Sequence, residues 1–159
     1  MKRLKKGFTL IELLVVIAII GILATTLAPK LREQLAKAKD AKALALLGAA
    51  RTAGSVVLVD KMVQDTDGSD VTIILTEIEA KLDKKTAEMI DATALVGIGG
   101  SRDAENGKMV YGNKVKLVAG TSSSIVVAYT ISNDDLELNL TADGDTEEFS
   151  TEGKKWLDY

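Results

Sequence analysis

Lys5-Lys6-Gly7-Phe8-Thr9-Leu10-Ile11-Glu12 opens an apolar run that continues to Ala28. Four basic residues, Lys2, Arg3, Lys5 and Lys6, precede Gly7. Between Phe8 and Ala28, Glu12 is the one charged residue. Those 21 residues would make roughly 32 Å of helix at about 1.5 Å per residue. A bilayer hydrocarbon core is about 30 Å thick, so the run is long enough to span it. Basic residues on one side alone predict a cytoplasmic N-terminus.

Glu12 is the anomaly. A carboxylate in a spanning helix costs roughly 2.5–3.5 kcal/mol near the helix centre and less near its end. Such a residue is a functional candidate whose partner should be named. No Lys, Arg or His lies between Phe8 and Pro29. The best partner is a cation made by cutting the chain. Cleavage after Gly7 would give Phe8 a free α-amine, four residues before Glu12. In a filament that amine could belong to the neighbouring subunit.

The run Lys-Gly-Phe-Thr-Leu-Ile-Glu, followed by Leu-Leu-Val-Val-Ile-Ala-Ile-Ile-Gly-Ile-Leu-Ala, resembles the N-terminus of type IV pilins and type II secretion pseudopilins. The resemblance covers about Lys5 to Pro29, with Gly21 and Pro29 on the family pattern. It implies a short basic leader, cut after the glycine by a membrane prepilin peptidase. The same enzyme then N-methylates the new phenylalanine. Gly7 and Phe8 fall on that junction, and Glu12 on the glutamate needed for assembly. Nothing comparable covers Leu31 to Tyr159.

Two plainer readings compete. A secretory signal peptide has a 7–15-residue apolar region and a small-residue cleavage site. Here the apolar region is longer, holds a glutamate and ends in Ala24-Thr25-Thr26-Leu27-Ala28-Pro29. A simple single-pass anchor accounts for the length and charge asymmetry, but not for Glu12.

Composition bounds the rest. At 159 residues the chain fits one globular domain plus the helix. It has no cysteine, so the disulfide-bounded C-terminal loop of many Gram-negative pilins is absent. The net charge is −3, and loss of the leader would leave 16 basic against 23 acidic residues, or −7. An acidic mature chain argues against dominant electrostatic binding to nucleic acid. With no histidine there is no imidazole base or imidazole metal ligand, and no carboxylate constellation points to catalysis. No cofactor is implied.

Four segments are expected: a leader over 1–7, a membrane and assembly half-helix over 8–29, an amphipathic half-helix over 30–62, and a globular α+β domain over 63–159. Pro29 cannot donate to the Thr25 carbonyl, which predicts a kink or loosening. The Thr25 and Thr26 hydroxyls are candidates to satisfy part of the freed backbone. Alternatively, Pro29 ends one helix and opens another. Beyond it, Leu31, Leu35, Ala38, Ala45, Ala49, Ala53, Val56 and Val63 share one helical stripe, interrupted by Lys42. Leu44, Leu47 and Leu58 make the opposite face apolar too. One face is assigned to the chain's own sheet and the other to neighbouring subunits. A helix buried within a larger domain is the plainer reading, but under 100 residues remain to cover it.

Gln64–Asp70 reads as a polar turn, since its glycine comes too early for an EF-hand. Val71–Ile90 predicts one or two short helices, with Thr76-x-x-Glu79 as a capping box and Val71–Leu75 equally suited to a strand. Leu95–Ser101 is glycine-rich but lacks the GxGxxG spacing. It predicts backbone flexibility or a short strand. Lys108–Tyr111 and Lys114–Val118 flank Gly112-Asn113, a hairpin signal. Ser124–Ile131 and Leu136-x-Leu138-x-Leu140 read as strands. Asp143-Gly144 is a turn signal, and Thr146–Thr151 with Lys155–Leu157 predicts a last hairpin around Glu152-Gly153. Asp134, Asp135, Asp143, Asp145, Glu147 and Glu148 form an acidic group. Major pseudopilins carry calcium in their C-terminal loops, but the spacing here matches no ligand pattern and a solvated turn is favoured.

The fold class expected is α+β: a long N-terminal helix packed on a C-terminal antiparallel sheet of four or more strands. The resemblance independently implies a pilin-like layout. The function expected is a type IV pilus or pilus-like filament subunit, not an enzyme. Its partners would be identical or related subunits, prepilin peptidase, an inner-membrane assembly platform and the membrane. The precursor would cross the cytoplasmic membrane once, before joining an extracellular or periplasmic filament. A type II secretion pseudopilin is the alternative, and a membrane-tethered binding module that never polymerises is a second.

Overall fold

The structure, a computed structural model, describes residues 7–64, 70–102, 107–119, 127–130, 138–141 and 149–159. By its internal contacts the chain divides into two units, Met1–Leu35 and Ala36–Tyr159.

One helix, α1, covers Leu10–Gln64. Pro29 lies inside it and does not end it. The Thr25 and Thr26 hydroxyls donate to the carbonyls of Ile22 and Leu23, at 2.8 and 2.9 Å. They bond one turn back, as helical threonines do, and leave the Thr25 carbonyl unserved by either. Every residue from 7 to 32 is exposed in the single chain.

In the second unit α1 buries Ala36, Asp40, Ala43, Leu47, Ala50 and Val57 along one face. This is not the stripe that periodicity selected. Of those eight residues Ala53 alone is buried, and Val63 is 77% exposed. The second apolar face is the one against the sheet, with Leu47 and Leu58 buried. Leu46 and Val57 are buried with them, but Ala36, Asp40, Ala43, Ala50 and Gly54 make up half of the buried set, so a count of large apolar side chains undervalues it. Small residues there allow the closest approach of helix and sheet backbones.

Among the described residues the strands form two sheets rather than one of four or more. β1 (Asp70–Ile73) and β4 (Val127–Thr130) pair antiparallel. β2 (Leu95–Arg102), β3 (Met109–Ala119) and β5 (Leu138–Thr141) form a three-stranded antiparallel sheet in the order β2-β3-β5. Leu46, Leu47, Ile73, Val96, Val115 and Leu140 are among the most buried core residues.

Two short helices, α2 (Leu75–Lys81) and α3 (Lys84–Ala87), follow β1. The ambiguous start, Val71–Leu75, is therefore mostly strand. Thr76-x-x-Glu79 is not the capping box. The N-cap of α2 is Ile74, whose N–H donates to the Glu77 carboxylate at 3.0 Å. Asp83 caps α3, accepting from the backbone N–H of Lys85 and Thr86.

The glycine-rich segment is not a flexible connection but β2, paired with β3 on both sides of Gly99. Gly112-Asn113 is not a hairpin turn either. β3 runs through it, with Asn113 opposite Ile98 and Tyr111 opposite Gly100. The chain reverses earlier, between the paired residues Arg102 and Met109, where Gly107 takes φ +67°.

The turn at Glu152-Gly153 forms, with Gly153 at φ +79° and its N–H donated to Ser150 O at 2.9 Å. Among the described residues the hairpin around it shows one bridge, Phe149 to Lys155, and its expected start at 146–148 lies outside them. Trp156–Asp158 is a 3-10 turn instead of a strand and buries Trp156. Leu138 and Leu140 are buried as the alternation requires, but Asn139 between them is buried too. Most of the polar turn after Gln64, the start of the Ser124–Ile131 strand, Leu136, Asp143-Gly144 and all six residues of the acidic group lie outside the described residues.

Candidate assembly site

The leader residues 1–6 lie outside the described residues. Gly7 is exposed ahead of α1, and Phe8 is 74% exposed. Thr9 immediately precedes the helix. Its N–H and Oγ1 both donate to the Glu12 carboxylate, at 2.8 and 2.7 Å. The Glu12 N–H donates back to Thr9 Oγ1 at 3.3 Å. This is a reciprocal capping box, and its Thr-x-x-Glu signature at 9–12 is a signal the sequence reading missed. In the uncut chain Phe8 carries a peptide nitrogen rather than an amine, and the bonds shown for Glu12 go to Thr9.

The arrangement explains how a carboxylate can sit at the head of so apolar a helix. Two donors converge on one of its oxygens, Oε2. It also lies in the first turn, where the helix dipole favours negative charge. Among the described residues, α1 is the one helix long and apolar enough to cross a membrane.

The globular unit is fixed to α1 by two polar side chains that local patterning did not single out. Asp40 is buried and accepts from Gly99 N–H at 2.8 Å. It also accepts from Thr151 N–H at 2.8 Å and Thr151 Oγ1 at 2.7 Å. A buried carboxylate is tolerable when hydrogen bonds replace its water, and here three donors do so. The approach needs Gly99, because a Cβ there would collide with the Ala36 backbone. The β2–β3 ladder skips this glycine and Gly112 opposite it.

Arg51, on the same helix, reaches β5. Its Nε donates to Leu138 O at 2.8 Å and an Nη to Asn139 Oδ1 at 3.0 Å. Its partner accounts for the buried Asn139. No local signal in the sequence marks Asp40 or Arg51, because their partners are 59 to 111 residues away.

Ion pairs tie the end of α1 to α2: Lys61 with Glu77 at 2.8 Å and Lys81 with Asp60 at 2.7 Å. Lys61 also donates to the Thr72 carbonyl. The Lys61 ammonium holds the Glu77 carboxyl below its ordinary range, aided by the Ile74 amide. Asp91, in the turn before β2, is held well below the usual carboxylate range. The Thr93 hydroxyl is the largest cause, followed by the Leu95 amide and Lys114. These groups brace the fold, and nothing in their geometry suggests turnover.

A family model described as the prokaryotic N-terminal methylation motif matches residues 2–28. A type IV major fimbrial protein FimA from Dichelobacter nodosus is 45% identical over 60 residues, 38% of each chain. Fimbrial protein EcpC from Eikenella corrodens is 41% identical over 76 residues, 48% of this chain and 50% of its own. Another Dichelobacter nodosus FimA is 32% identical over 149 residues, 91% of this chain and 86% of its own. The first of these matches thus spans well under half of the relative's length. No solved structure matches the chain.

Proposed function

Because this chain belongs to the type IV pilin family, we propose that it is a structural subunit of a type IV pilus, assembled through α1. The observation that carries this reading is the head of that helix. One carboxylate, Glu12, sits at the start of an apolar segment that the rest of the chain leaves exposed. An apolar segment left bare by its own chain needs lipid or like helices around it. A bundle of like helices offers both, first in the membrane and then in the filament.

The proposed order of events follows from the same residues. Residues 1–7 hold the precursor with its N-terminus in the cytoplasm. Prepilin peptidase cuts between Gly7 and Phe8 and N-methylates Phe8. The segment 8–29 then stores the subunit in the bilayer until the assembly platform moves it into the filament. The stretch 30–62 links it to the globular domain, 63–159. Removing the leader turns the Phe8 nitrogen into a cation next to the Thr9–Glu12 cap. Glu12 then pairs with a neighbouring subunit's Phe8 amine, which sets the axial register. The curated relatives reported above are fimbrial proteins, which favours a surface pilus over a pseudopilin. Shearing cells and blotting the released material tests this reading. Cleaved subunit in sheared filaments is the expected result. Subunit that stays wholly with the cells would defeat it.

A further inference from the structure

An open groove of about 280 Å³ lies between α1 and β2, lined by Lys39, Lys42, Met89, Gly97 and Ile98. Its floor is apolar: Ile98 is buried and Met89 half-buried. Gly97 is exposed, and a Cβ placed on it would meet open space, so the β2 backbone is bare there. Lys39 and Lys42 are three residues apart on one helical face and both exposed. Lys114, across the ladder from Gly97, is committed to Asp91 at 3.0 Å. Neither Lys39 nor Lys42 has a hydrogen-bond or ion-pair partner among the described residues. Two unpaired like charges this close repel each other, and an anionic partner relieves that cost.

Residues 30–42 hold five basic side chains against Glu33 and the buried Asp40. The stretch 133–148 is the reverse, with seven acidic residues and no basic one. A free polyanion is a poor occupant for the groove, because the leaderless chain carries −7 overall. A homopolymer, by contrast, brings one carboxylate-rich segment per subunit to each groove at high local concentration.

We propose that the groove rimmed by Lys39 and Lys42 is the docking site for the acidic stretch 142–148 of a second copy of this chain. The inference rests on the pilus reading and adds a contact outside the apolar helix core. Opposite charge across such a contact steers subunits into one arrangement and penalises the others.

The test uses full-length chains in the native host, with cleaved subunit in the membrane measured as a control for folding. K39E/K42E makes groove and segment both acidic, and D143K/D145K/E147K/E148K makes both basic. Each variant alone should lower sheared filament yield about tenfold, the effect of roughly 1.4 kcal/mol per contact. Coexpressed, the two should restore filaments, because each groove then meets a segment of opposite charge on the other subunit. Normal yield from K39E/K42E alone would overturn the proposal. So would loss in both variants without rescue on coexpression, which is the outcome of pairing within one chain. Wild-type cells that release no filament would instead defeat the pilus reading itself.

Discussion

The Asp40 carboxylate accepts two hydrogen bonds from Thr151, from its backbone N–H at 2.8 Å and its hydroxyl at 2.7 Å. The residues are 111 apart in sequence, and both are buried. This contact holds the C-terminal segment to the long helix without a disulfide. It predicts that Asp40→Ala in a soluble Lys30–Tyr159 fragment loses about 2–5 kcal/mol, because buried donors are left without acceptors. Thr151→Val should lose less, since the backbone N–H still reaches Asp40. Urea denaturation of the fragment, expected to be a mixed α+β monomer, measures both. Equal stability of Asp40→Ala and wild type would remove Asp40 from this role.

Gly99→Ala forces a methyl against the Ala36 backbone. The helix must retreat from β2, weakening the Asp40 bond to the Gly99 N–H. The expected loss is about 1–3 kcal/mol. Gly97→Ala, two residues earlier and facing open space, should cost much less. Comparing the two midpoints separates close packing from a general intolerance of β2 to substitution.

Asp91 gives the fold an acid sensitivity. Its folded-state pKa is depressed, chiefly by the Thr93 hydroxyl. Its contribution is therefore complete above the ordinary carboxylate range, about pH 4, and is lost as pH falls toward the folded value. Thr93→Val should flatten the stability profile on the acid side and change its slope little between pH 6 and 8. Thermal melts across pH 2–8 would show this. An unchanged acid limb would assign that sensitivity elsewhere.

Processing is read from mass. Filament material should begin at Phe8 with one methyl on its amine. Gly7→Val should leave uncut precursor in the membrane. A mature start after Ala28, or intact Met1 in assembled material, would contradict the junction.

Glu12→Ala removes a charge from the apolar segment, so membrane insertion should hold or improve. Cleavage should largely survive, while sheared filaments should nearly vanish. Thr9→Val removes one of the two donors to Glu12 and keeps the carboxylate, so it should reduce assembly less. If the carboxylate served peptidase recognition alone, Glu12→Ala would accumulate precursor instead. Normal filaments from cleaved Glu12→Ala would end the register role.

The N-terminal reading was available from sequence because its determinants are local. Length, apolarity, one-sided basic charge and Thr9-x-x-Glu12 all lie within 28 residues. The sequence also determined that helix continues beyond Pro29, that two of its faces are apolar, that the C-terminal half is strand-rich, and that Glu152-Gly153 turns, whereas the structure decided that Pro29 lies within one unbroken α1. Periodicity can find two apolar faces but cannot say which one the sheet covers. That was decided by a tertiary fit in which Ala36 meets Gly99 and Asp40 takes the Gly99 N–H. The same holds for β3. Gly112-Asn113 has turn chemistry, yet β2 pairs on both sides of it and holds it in the strand. Trp156 joins a 3-10 turn where a strand was expected and is buried there. Asp40 and Arg51 find the partners that stabilise them across 59 to 111 residues of chain. Desolvating a charge is tolerable only once those partners are in place, so no local pattern encodes it.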